Sequence, residues 1–70
     1  MNRIEMLNRK LMELNFELNK LEVKIVDLYE LSLKDQDNDS LETIIDSYER
    51  DHDDIKDMIK KLKIEIKKTA

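Results

Sequence analysis

The chain has 70 residues, enough for one small domain whose core must be shared among very few elements. It holds no Gly, no Pro and no Cys, with 43% charged and 40% hydrophobic residues; this disfavours strands, excludes disulfides and thiolate metal sites, and is the balance of solvated amphipathic helices. A net charge of −4 opposes nucleic acid as a partner of the whole molecule, and Phe16, Tyr29 and Tyr48 without any Trp leave no base-stacking platform or aromatic cage.

The opening Met1-Asn2-Arg3-Ile4-Glu5 sets a carboxylate where a secretory signal needs an apolar run. No stretch approaches the length of a membrane span, so a cytoplasmic location with no membrane partner is expected. The abundance of Asn, Lys and Ile suggests an A/T-rich genome such as that of a low-GC bacterium or its phage.

From Ile4 the apolar residues recur at alternating steps of three and four: Ile4, Leu7, Leu11, Leu14, Leu18, Leu21, Ile25 and Leu28. An unbroken seam of this period predicts a coiled-coil-like helix over about residues 2 to 34. The same helix carries a second stripe nearly opposite the first: Met12, Phe16, Asn19, Val23, Val26, Glu30 and Leu33. Most of these are apolar, which is more than a solvent-facing line usually exposes, so a cover is expected. One candidate cover is a second copy of the chain, giving a homodimeric four-helix assembly with the first helix central and Asn19 pairing with its symmetry mate. The other is a helix from a different protein. In the plainest alternative Asn19 is a solvated residue on a patchy surface.

Residues 34–40 (Lys-Asp-Gln-Asp-Asn-Asp-Ser) contain no apolar side chain and are rich in groups that bond their own backbone in turns. The loop is placed at about 35 to 38, with Asp39 or Ser40 capping the second helix and Asp39 standing at capping-box spacing from Glu42. The second helix then covers about 39 to 68, with a seam of Leu41, Ile45, Tyr48, His52, Ile55, Ile59, Leu62 and Ile66. Only His52 breaks its apolar character.

A short loop makes the two helices antiparallel neighbours, so the expected architecture is all-α, a single helical-hairpin domain over residues 1 to 70. Setting Leu28 against Ile45 and Leu14 against Ile59 makes every layer apolar on both sides except Leu21 with His52. The same register brings Lys24 beside Asp51, Lys10 beside Glu65, and Glu22 near Glu49.

Charge is laid out unevenly. Residues 35–57 hold ten acids against Arg50 and Lys56, and residues 58–70 hold five lysines against Glu65. In the hairpin this yields an acidic pole (Asp35, Asp37, Asp39, Asp46, Glu49, Asp51, Asp53, Asp54) and a basic pole (Arg3, Arg9, Lys10, Lys60, Lys61, Lys63, Lys67, Lys68). The simplest purpose is to complement the helix dipoles and keep the protein soluble. The acidic pole also suits a basic partner, and the basic pole suits phosphates. As an architecture alone, the hairpin dimer resembles the small RNA-binding regulators of plasmid copy number; no residue motif is shared, so no site is implied.

One constellation carries chemistry. Glu49-Arg50-Asp51-His52 has Glu-x-x-His spacing, and with Glu22 nearby a dimer would hold the ligand inventory of a di-metal carboxylate bundle. The more ordinary reading makes His52 a seam residue hydrogen-bonded to a carboxylate, lending stability some pH dependence in its titration range. Ser32, Ser40, Ser47 and one His offer no nucleophile, base and orienter, and a chain without Gly has no phosphate-cradling loop. No catalytic residue and no cofactor are expected. The expected role is that of an adaptor, inhibitor or regulator binding itself and a protein partner. Its contact face is Met12, Phe16, Asn19, Val23, Val26 and Leu33; a nucleic-acid-associated hairpin dimer is the first alternative and the metal bundle the second.

Overall fold

The computed structural model describes residues 2–69. Helix α1 spans Arg3–Lys34 and helix α2 spans Asp39–Thr69. Asn2 starts α1: its backbone is extended (φ −81°, ψ 170°), and its side-chain oxygen accepts the Glu5 N–H at 2.8 Å, satisfying one of the donors that a helix start leaves unpaired. Glu5 in the first turn and Lys34 in the last complement the α1 dipole, as Asp39 with Glu42 and Lys67 with Lys68 do for α2.

The reversal between the helices is organised by Asn38. α1 closes where the Asp35 N–H donates to the Leu31 carbonyl at 2.9 Å, after which Asp35 leaves helical geometry (φ −128°, ψ 73°). The Asn38 N–H donates to the Asp35 carbonyl at 3.3 Å, and its side-chain amide donates to the Asp35 carboxylate at 3.2 Å. Its side-chain oxygen accepts from the N–H groups of Ser40 at 3.0 Å and Leu41 at 3.4 Å. The cap of α2 is therefore Asn38, one residue before Asp39 and two before Ser40, and no Asp39–Glu42 capping box forms among the described residues. Asn is as strong a cap as Asp or Ser, and at position 38 it also supplies the donor that ties the turn back to Asp35, which a carboxylate lacks. No described residue has a positive φ, so this chain turns without the conformation that favours glycine.

The seams decide which side chains leave water. Leu14, Leu28, Ile45 and Ile59 form the buried core, between 6% and 9% exposed, and every other seam position of both helices is half-buried. Outside the seams only Ser32 and Glu49 are less than exposed among the described residues. Contacts of Arg3 with Glu65, Glu22 with His52 and Tyr29 with Glu49 run in opposite directions along the two helices, which makes the pair antiparallel. The result is a rod of 51 × 15 × 13 Å. Its length is close to the roughly 48 Å that 32 helical residues span. Neither helix is long and apolar enough to cross a membrane.

The flanking charges differ from the expectation. Lys24 does not pair with Asp51 nor Lys10 with Glu65 among the described residues; the Glu65 carboxylate is taken by Arg3 instead. Periodicity fixes the edge on which a long charged side chain stands, but exposed partners within reach differ little in energy, so it does not choose between them.

Candidate interaction surface

Because each helix uses its seam against the other, the second stripe of α1 is left on the outside. Met12, Phe16, Val23, Val26 and Leu33 are 55–73% exposed, and Asn19 and Glu30 between them are exposed as well. The Phe16 ring carries the Lys20 ammonium 4.9 Å from its centroid, a cation–π contact on the helix surface. α2 offers no equivalent line; apart from Ile44, Met58 and Ile64, its outer positions are mainly charged or polar.

Antiparallel packing collects the charges as two poles. The acidic one comprises the turn and the first half of α2: Asp35, Asp37, Asp39, Asp46, Asp51, Asp53 and Asp54 are exposed, and Glu49 is half-buried. Arg3, Arg9 and Lys10 at the start of α1 come to the same end as Lys60, Lys61, Lys63, Lys67 and Lys68 near the end of α2, all exposed. Part of that positive charge is already engaged, since Arg3 bonds Glu65 and the Lys61 ammonium lies 3.0 Å from the Asp57 carboxylate.

The Glu-x-x-His candidate divides into two separate contacts. His52 is half-buried in the seam, with Nε2 3.1 Å from a Glu22 carboxylate oxygen and Nδ1 4.0 Å from Asp53. Glu49, one turn earlier, accepts a hydrogen bond from the Tyr29 hydroxyl. Glu22 and Glu49 line one shallow pocket, and each carboxylate has its own cross-helix hydrogen-bond partner, which offsets part of the cost of placing like charges near each other. Among the described residues no group of three or more His, Cys, Asp or Glu is arranged to hold a metal ion.

Tyr29 with Glu49 was not singled out by sequence reasoning, although both flank the seam on one edge. The contact holds the Tyr29 phenol above its ordinary range, first through the hydrogen bond to Glu49, then through desolvation and the negative charge of Glu49 and Asp46. Ionisation would turn the donor into an anion beside carboxylates. The contact therefore contributes to stability below the phenol's unfolded-state pKa and is lost as pH rises through the higher folded-state value. Ultraviolet titration of phenolate should show a late-ionising component that moves back toward about 10 in Glu49→Gln. Identical titration curves for the two proteins would show that the pair does not form in solution.

The arrangement offers a two-helix rod, one unpaired apolar line and two poles of opposite sign. Set against protein-family models, curated proteins and solved structures, the chain matches no family, no protein and no structure among them.

Proposed function

We propose that this chain is a small non-enzymatic interaction protein, an adaptor, inhibitor or regulator, that works by pairing the free stripe of α1 with an apolar helix face and so assembles into a four-helix arrangement. The single observation that supports the reading is the exposure of Met12, Phe16, Val23, Val26 and Leu33 in one line along a helix whose other face is already used. Covering such side chains recovers on the order of 1 kcal/mol or more for each, and anchors at three- and four-residue spacing are how one helix recognises another. The acidic pole serves as a secondary contact surface for a basic partner.

Phe16→Asp tests the reading. The position is exposed and remote from the seam, so the variant should keep its helical circular dichroism, while a charge in the middle of the stripe should abolish docking. Affinity capture from the source cell, run side by side with the unaltered chain and the variant, should retain a partner only in the first case. Equal capture by both would place the working surface elsewhere.

A further inference from the structure

Resting on that reading and naming its occupant, we infer that the stripe is covered by a second copy of this chain, laid antiparallel to the first about a two-fold axis at Asn19. In an antiparallel pair, residues equally far from the axis lie at the same height. Met12 and Val26 each stand seven residues from Asn19, and Phe16 and Val23 stand three and four residues from it. Met12 therefore meets Val26 of the second copy, Phe16 meets Val23, and Asn19 meets its own mate, an amide that both donates and accepts.

The next positions on the stripe settle the direction. Arg9 lies ten residues before Asn19 and Glu30 eleven after it, so the line's two outer charged positions face each other with opposite sign at both ends of the contact. A parallel pair would instead set Arg9 against Arg9 and Glu30 against Glu30. The poles give the same answer independently. The acidic turn end of one rod comes beside the basic terminal end of the other, whereas parallel rods would place like poles together. Asn19 also falls at the midpoint of Arg3–Lys34, so an axis there overlaps the two α1 helices along their whole length without overhang. The mismatches are at the rim, where Lys20 comes within two residues' rise, about 3 Å, of the height of its own mate, and Glu13 within the same offset of Asp27 of the second copy. These are exposed side chains whose repulsion salt screens, and the Lys20 ammonium is drawn back over its own Phe16 ring.

The chain has no cysteine, so single-cysteine variants at exposed positions report the geometry directly. Under mild oxidation Asn19→Cys should form a disulfide-linked dimer, and Leu33→Cys should not, because its mate lies roughly 40 Å away along the axis. In parallel with this, sedimentation equilibrium of the unaltered chain should give a dimer. Arg9→Glu should weaken it about tenfold or more, and Arg9→Glu combined with Glu30→Arg should restore it. A monomer by sedimentation, cross-linking at position 33 as readily as at 19, or failure of the double exchange to rescue would each overturn the arrangement. Failure here is distinguishable from failure of the docking reading: a monomeric chain that still captures a partner in a Phe16-dependent way would lose only the self-pairing.

Discussion

Ile59→Ala should destabilise the hairpin by about 2–5 kcal/mol, the range for removing branched carbons from a packed site that relaxes only partly. Ile59 is 7% exposed and its expected layer partner, Leu14, 9%. Only Leu28 and Ile45 are buried to the same degree, so one truncation empties half of one of the two buried layers. In a domain of this size that loss is comparable with the entire stability, and a large unfolded fraction at room temperature is the expected result. Urea unfolding followed by circular dichroism at fixed protein concentration measures it. Ile64→Ala, the same chemical change at an exposed position, should stay within about 0.5 kcal/mol. Equal effects at the two positions would mean that the seam does not carry the core.

Asn38→Ala should cost about 1–2 kcal/mol, at the upper part of the range for a lost helix cap. One side chain there accepts the N–H groups of Ser40 and Leu41 and donates to the Asp35 carboxylate, so alanine removes the start of α2 and the tie across the turn together. Asn38→Asp separates the two contributions. It keeps an acceptor for the α2 N–H groups but places a second carboxylate against Asp35, and it should fall between the unaltered chain and alanine. The order of the three melting temperatures is the readout; an alanine variant that melts with the unaltered chain would assign the cap to another residue.

The layout of the fold was legible because it depends on where apolar carbon falls. A period of three and four through Ile4 to Leu28, and again through Leu41 to Ile66, marks the residues that leave solvent in both helices. The two oily sides of α1 were legible for the same reason. Periodicity does not resolve choices between polar groups that reach the same place. Asn38, Asp39 and Ser40 all suit a helix start, and the donor capacity of an amide toward Asp35 separates them only once the turn geometry exists. Glu49 stands within reach of more than one group across the seam, and its hydrogen bond from Tyr29 is a matter of rotamer and charge, not of spacing. Glu65 with Arg3 in place of Lys10 is the same lesson at the other end of the rod.

The cross-helix contacts grow steadily more distant in sequence away from the turn: Tyr29 and Glu49 are 20 residues apart, Glu22 and His52 are 30, and Arg3 and Glu65 are 62. Bringing two points of a disordered chain together costs entropy that rises with the logarithm of the intervening length, so closure near Asn38 is the least costly first step and shortens every later loop. Closure is therefore expected to start at the turn, with its earliest steps in the microsecond range of local helix and loop formation. The end of the rod at Arg3 and Glu65 should close last and open first, with backbone amide protons exchanging with solvent faster there than beside the turn.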